Sequence, residues 1–432
     1  FGIKPTTSTL DLDTGTAINF NPIYNPGCAG LLILEDGHIV LFGGDKASTA
    51  RNMSDGRNGI AVLIVGGSNA CMLGPTWSFA EVWDPLAPTT TTQAAMPPTF
   101  VAAMGNICWF ANNAGSITDK NFNFIVDLPP FPVAYQTMFP FTAAVAELAY
   151  TPPNYCTRFV LFGGSTNGAR TTTAATTSVR LDICTCSTGG VGGVCVGSWQ
   201  VEDMLSIPRV MGDATLLPNG KVFLHGGTQK GKAGTGPNAN TLANSVSLVY
   251  DPERTQGERY DRFGPSSIAR AYHSGACLDI TGKVLLAGCE TCGKYQQLSP
   301  GMTLSPNAPL EYRLEFAVPQ EIGYGSFRPG ILAAPTTIAP GSVFEVSYTY
   351  SGGALVGASL MAPCASTHSL NMGQRVIMLE IITPSTATPG IVKLAAPPSD
   401  LFGKALYGHF MLFLLGQADS YSEGWWLKLA PP

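Results

Sequence analysis

Short apolar runs and turn residues alternate along the chain, and one arrangement of the two recurs: apolar run, two-residue turn containing Gly, second apolar run, Gly-Gly. It reads Leu31-Leu32-Ile33-Leu34-Glu35-Asp36-Gly37-His38-Ile39-Val40-Leu41-Phe42-Gly43-Gly44 first. It returns as Thr215-Leu216-Leu217-Pro218-Asn219-Gly220-Lys221-Val222-Phe223-Leu224-His225-Gly226-Gly227. Weaker copies end at Gly66-Gly67, Gly163-Gly164 and Ala287-Gly288, and Ile107-Cys108-Trp109-Phe110-Ala111-Asn112-Asn113 is a degenerate one. Asp-Gly and Asn-Gly suit type I′ turns, whose central residues both need positive φ, so each copy predicts a β-hairpin. Repeated hairpins with Val82-Trp83-Asp84-Pro85 and Val249-Tyr250-Asp251-Pro252 between them predict the blades of a kelch-type β-propeller. An all-β, seven-bladed propeller is expected over residues 1–312.

One repeat is too short. Gly43 and Gly66 stand closer together than a four-stranded blade of about 40 to 50 residues allows. Nine residues, 210 to 218, separate Arg209 from its Asn219-Gly220 turn, and ten, 271 to 280, separate Arg270 from Thr281-Gly282. After Arg57 the Asn58-Gly59 turn follows at once. A strand is therefore missing, and residues of the native chain are expected to be absent between Gly44 and Asn58, with Arg57 and Asn58 not truly bonded.

From about Arg313 the Gly-Gly repeats stop. Phe344-Glu345-Val346-Ser347-Tyr348-Thr349-Tyr350 alternates strictly, as a strand with one buried face does. Val376-Ile377-Met378-Leu379-Glu380-Ile381-Ile382, Ile391-Val392-Lys393-Leu394 and Trp425-Trp426-Leu427-Lys428-Leu429 continue the pattern. Residues 313–432 are accordingly expected to form a C-terminal Ig-like β-sandwich.

Composition agrees with this reading. With 49 Gly and 33 Pro among 432 residues and only 12% charged, the chain is turn-rich, and 45% hydrophobic content supplies a large core. A net charge of -5 gives no electrostatic reason for a nucleic acid or anionic membrane partner. Phe410-Met411-Leu412-Phe413-Leu414-Leu415 is an apolar run of strand length, too short to span a bilayer. The eleven cysteines include Cys184-Thr185-Cys186 and Cys289-Glu290-Thr291-Cys292, with no second pair at zinc-finger spacing. Disulfides are favoured over metal for Cys156, Cys184, Cys186, Cys195, Cys289 and Cys292, which implies an oxidising, extracellular setting. Asn52-Met53-Ser54, an N-glycosylation acceptor pattern, points the same way. No signal peptide is visible, so the sequence is expected to begin after one has been removed.

Candidate chemistry gathers in Arg270-Ala271-Tyr272-His273-Ser274, just ahead of an apolar strand. Neighbours in a strand face opposite ways, so a Tyr-His pair aimed at one site needs a bulge or a strand end. Only five histidines are present, and His368 lies in a similarly polar stretch, Cys364-Ala365-Ser366-Thr367-His368-Ser369-Leu370-Asn371. Two imidazoles and a phenolate suit copper better than zinc or calcium. The bland reading is that Tyr272, His273 and His368 are hydrogen-bonded blade-edge residues. His38, His225 and His409 sit where no ligand is expected and are read as structural.

These stretches, with Asn25-Pro26-Gly27-Cys28-Ala29-Gly30, Gly197-Ser198-Trp199-Gln200-Val201-Glu202 and Thr367-His368-Ser369-Leu370, resemble the radical copper oxidases of the galactose oxidase and glyoxal oxidase family, closer to the glyoxal oxidase branch. The resemblance implies a kelch propeller followed by an Ig-like domain that carries a histidine-bearing loop to the propeller axis. It implies copper held by His273 and His368, with Tyr272 as axial ligand and general base. It further implies that Cys28 forms a thioether with a second tyrosine, making a one-electron redox cofactor. The activity implied is oxidation of a small aldehyde or primary alcohol by O2, giving H2O2.

The sequence departs from the family at the second tyrosine. It belongs in the strand missing after Arg57, and no tyrosine lies between Tyr24 and Tyr135. Cys28 is then equally readable as a buried thiol or half of a disulfide. The competing reading is a propeller that has lost catalysis and serves as an extracellular matrix or surface-structure component.

Overall fold

The computed structural model describes residues 106–119, 121, 123–186, 190–234, 240–289, 298–306, 310–323, 327–373, 375–383, 390–401 and 407–431, and before these the strands alone. The chain divides into two compact units, Phe1–Thr99 and Phe100–Pro432. In the first, Thr7–Leu10 pairs with Ala17–Phe20, and Ala29–Ile33 pairs with Ile39–Gly43 so that Ile33 faces Ile39 around the predicted Asp-Gly turn. Leu63–Val65, Ala80–Asp84 and Ala87–Gln93 form a three-stranded antiparallel sheet. Cys28, Asn52 and the expected break at Arg57 and Asn58 lie outside the described residues.

The second unit opens with antiparallel, blade-like sheets. The most regular runs Asp213–Leu216, Val222–His225, Val246–Tyr250, Tyr260–Pro265, each strand beside the next. Its first two strands are buried at every position, whereas Tyr260–Pro265 is buried only at Tyr260. Inner strands buried on both faces lose the polar alternation of a half-exposed strand, as Val222-Phe223-Leu224 does. On one side of this sheet in sequence stand Ala144–Glu147, Thr157–Phe162 and Thr177–Thr185, the last pairing with both Val194–Val196 and Gln200–Asp203. On the other stand Gly275–Leu278, Val284–Ala287 and Glu315–Ala317. Glu315–Ala317 lies past residue 312, where the sequence placed the end of the propeller.

The repeated Gly-Gly has a steric cause. Gly226 and Gly227 take φ of 63° and 75°, and a Cβ on Gly226 would lie 2.7 Å from the Arg270 carbonyl oxygen. A Cβ on Gly227 would lie 2.5 Å from the Val210 carbonyl oxygen. Gly163 meets the Arg209 carbonyl oxygen in the same way, so at Gly163 and Gly226 one repeat's arginine segment presses on another's strand end. The arginines complete the joint: buried Arg270 donates to the Gly288 and Arg313 carbonyls, and buried Arg209 to those of Gly226 and Val246.

The C-terminal residues form two facing sheets. One orders Gly330–Ala333, Val343–Thr349, Ile391–Ala395 and Ile381–Thr383. The other orders Thr337–Ile338, Trp425–Leu429, Gly408–Leu415, Gly357–Met361 and Val376–Leu379. Phe344, Val346 and Tyr348 point inward with Leu360, Val392, Leu412 and Leu414, realising the predicted alternation. Gly408–Leu415 is buried on both faces for a reason the sandwich alone does not supply. Its other face, Met411, Phe413 and Leu415, packs with Leu278, Val284 and Leu286 of the blades in one continuous core. No helix is long and apolar enough to cross a membrane among the described residues.

Disulfides join Cys156 to Cys184 and Cys186 to Cys195, and Cys289 is also disulfide-bonded. Cys292 lies outside the described residues. A further bridge, Cys277 to Cys364, links a blade strand to the C-terminal part of the chain.

Candidate metal centre

Tyr272 and His273 sit in a turn immediately before Gly275–Leu278, closed by a 2.9 Å hydrogen bond from the Ser274 amide to the Ala271 carbonyl. His273 has φ of 68°, and this left-handed kink lets adjacent side chains share one side. Their rings stack at 3.8 Å between centroids. The strand end required by the sequence argument is therefore what the chain uses. Gly288 makes room for it: a Cβ there would lie 2.7 Å from the His273 carbonyl oxygen.

His368 arrives from the other end of the unit. Ser366–Thr367 and Leu370–Asn371 form a minimal hairpin whose two turn residues, His368 and Ser369, have φ of 52° and 67°. That is the type I′ conformation, which Asn and Gly adopt easily and other residues adopt at about 1 to 2 kcal/mol each. Strain of this kind is retained where surrounding contacts over-determine the turn. Leu370 pairs in parallel with Val145, so the hairpin adds to the inner blade strand Ala144–Glu147. The Cys277–Cys364 bridge ties its base to the strand that follows His273.

The outcome is that His273 Nε2 and His368 Nε2 lie 3.1 Å apart. Tyr272, 3% exposed, meets the His368 ring edge-on at 5.5 Å. His368 Nδ1 faces Thr367 Oγ1 at 2.8 Å, which fixes the ring and leaves Nε2 toward His273. Burial first, and the neighbouring His273 second, push the His368 imidazole down to about 4. It is thus neutral at ordinary pH, with a lone pair to offer. Two nitrogens bound at right angles to one ion at about 2 Å would stand roughly 2.8 Å apart, close to the spacing here. Among the described residues no cluster of three His, Cys, Asp or Glu occurs, and the side chains gathered at this point are two imidazoles and a phenol. The rings border a small, narrow cleft, walled also by Thr142, Met211, Ala233 and Ser369.

The other histidines differ. His225 is buried with Nδ1 2.8 Å from Ser247 Oγ, and His409 lies in the strand Gly408–Leu415. His38 and Cys28 lie outside the described residues. Sequence reasoning missed the Cys277–Cys364 bridge, although Cys277 stands four residues after His273 and Cys364 four before His368. It also missed Asp213, which nothing local marks out.

Fold and site together define a kelch-type propeller with an appended β-sandwich and a histidine-tyrosine centre built from both. The chain belongs to the glyoxal oxidase family: the family model described as glyoxal oxidase N-terminus matches residues 81–319, more than half of the chain. The galactose oxidase-like early set domain matches residues 328–429. Aldehyde oxidase GLOX1 of Arabidopsis thaliana is 31% identical over 242 residues, covering 54% of this chain and 37% of that protein. Aldehyde oxidase GLOX of Vitis pseudoreticulata is 26% identical over 415 residues, covering 92% of this chain and 71% of that one. A fungal alcohol oxidase of the AA5 family, solved in complex with copper, superimposes with a TM-score of 0.70 over 98% of this chain and 90% of its own. At 16% identity that likeness speaks for the fold alone.

Proposed function

We propose that the protein is an extracellular copper radical oxidase that converts small aldehydes or primary alcohols to acids or aldehydes while reducing O2 to H2O2. The observation that carries this reading is the 3.1 Å approach of His273 Nε2 and His368 Nε2 beside buried Tyr272. Family membership and the aldehyde oxidase names of the relatives support the reaction class, and the disulfides support the extracellular setting. Glycosylation at Asn52 belongs to the same reading.

In this reading His273 and His368 hold the metal through Nε2, with Thr367 orienting His368. Copper, when bound, supplies a Lewis acid and one redox equivalent. Tyr272 is the general base that takes the proton of the substrate hydroxyl. The substrate gives up two electrons and two protons and O2 receives them, so an alcohol yields aldehyde and H2O2, and a hydrated aldehyde yields acid and H2O2. The second redox equivalent comes from a tyrosine joined to Cys28. That tyrosine is not in the sequence as it stands, since none lies between Tyr24 and Tyr135.

The missing tyrosine favours a second reading, a metal-binding propeller without catalysis that acts as an extracellular matrix or surface component. Two measurements on the natural secreted protein separate them: its intact mass with the peptide map around Arg57, and peroxide release on glyoxal-type and sugar substrates after copper loading. Extra residues containing a tyrosine, with peroxide release, support the oxidase. A continuous Arg57–Asn58 bond with copper bound but no peroxide supports the second reading. Failure of the wild-type chain to bind one copper overturns the site itself.

A further inference from the structure

Asp213 is a carboxyl buried to 3% exposure at the start of the inner strand Asp213–Leu216, in a segment that carries neither histidine. Its Oδ2 lies 3.3 Å from Ser274 Oγ and its Oδ1 lies 3.3 Å from Ser366 Oγ. Ser274 follows His273, and Ser366 stands two residues before His368. The Ser274 Oγ also lies 2.7 Å from the Ala271 carbonyl oxygen, so its one proton is shared between that oxygen, which closes the turn holding Tyr272 and His273, and the Asp213 carboxyl.

We propose that Asp213 is the positioning residue of the metal centre: its carboxyl clips the Tyr272–His273 turn to the 366–371 hairpin and so sets the spacing of the two Nε2 atoms. This rests on the reading that His273 and His368 hold the metal. A two-stranded hairpin of this size has little stability of its own, and both of its turn residues are left-handed. The Cys277–Cys364 bridge fixes its base, and the Leu370–Val145 pairing docks its second strand on a blade. Neither joins the hairpin to the Tyr272–His273 turn itself, and Asp213 supplies that tie from a third segment through Ser274 and Ser366. Taking a carboxyl out of water is costly. Burial pushes Asp213 up to about 7, against the pull of its bonds to Ser366 and Ser274 and the charge of Arg209. Among the described residues its side-chain hydrogen bonds go to the two hydroxyls beside the histidine segments. Outer partners that orient metal ligands typically alter metal affinity by about 10- to 100-fold when removed.

The test uses the full chain with Asp213→Ala, the conservative Asp213→Asn, and the single-arm variants Ser274→Ala and Ser366→Ala. Copper affinity is measured by chelator competition, the Cu(II) EPR spectrum is recorded, and amide exchange of residues 364–371 is followed without metal. The expected result is an affinity loss of about tenfold or more for Asp213→Ala, with a broadened spectrum and faster exchange confined to the hairpin. Asp213→Asn, which keeps the shape and one acceptor, should recover most of all three, and each serine variant should show a smaller loss. Unchanged affinity, spectrum and exchange in Asp213→Ala overturns the clip. If that variant does not fold, unchanged values in both serine variants overturn it instead. If the wild-type chain binds no copper, the underlying reading fails, while hairpin exchange still decides whether Asp213 holds the two segments together.

Discussion

His225 shows how a single residue's surroundings decide its chemistry. It is buried, stacked parallel to Phe223 at 5.9 Å, and faces Ser247. Burial first, then the positive charges of Arg209 and Arg270, push its imidazole down to about 3. An unfolded histidine takes up a proton below about 6.5, whereas this one in the folded chain does not until far lower. The unfolded state thus binds more protons across that window, and His225 costs stability as pH falls from about 6.5 toward 3. Asp213 acts oppositely: its raised carboxyl makes the folded state hold the extra proton, so its contribution is lost as pH rises from about 4 to 7. The two are separated by comparing wild type with His225→Asn in urea at pH 7 and pH 4.5. The variant should lose less on acidification, by on the order of 2 kcal/mol. An identical acid loss in both proteins would show that His225 titrates normally.

At the scale of elements, the Gly-Gly ends join strands of neighbouring repeats. Gly226→Ala puts a Cβ 2.7 Å from the Arg270 carbonyl at a φ of 63°. Gly257→Ala imposes a similar left-handed cost, at φ of 96°, with nothing within 4 Å. Conformation alone should cost about 1 to 2 kcal/mol in each, so the excess in Gly226→Ala measures the interblade contact. Denaturant melts of the two variants give the comparison, and equal losses would mean that the joint is loose. This part of the fold was legible because glycine at positive φ is a local steric demand that survives in the sequence as a repeated letter. The Tyr272–His273 strand end was legible for a related reason, since two neighbours aimed at one side of a strand need a kink.

At the scale of the whole second unit, blades and sandwich share a core. Phe413 is fully buried among Leu278, Val284, Met361 and Tyr421, which come from both parts. Phe413→Ala should lose about 3 to 5 kcal/mol, and it should lower the unfolding of blade and sandwich reporters together. Separate transitions, with only the sandwich shifted, would contradict a common core.

The amino-acid sequence by itself determined the all-β class, the hairpins of the repeats and the alternation of the C-terminal strands, and it singled out Tyr272, His273 and His368 as candidates. Each of these is written in neighbouring residues, through turn sterics, two-residue periodicity or a rare side chain in polar company. Tertiary structure alone decided that Cys277 pairs with Cys364, that Asp213 reaches Ser274 and Ser366, and that the two imidazoles meet at 3.1 Å. The apolar run at 410–415 likewise reads as a plain buried strand until its second face is seen against the blades. The physical reason is distance along the chain. Residues 213, 274 and 366 become neighbours only when three segments are packed together, and no local pattern records which distant group a buried carboxyl or thiol will meet.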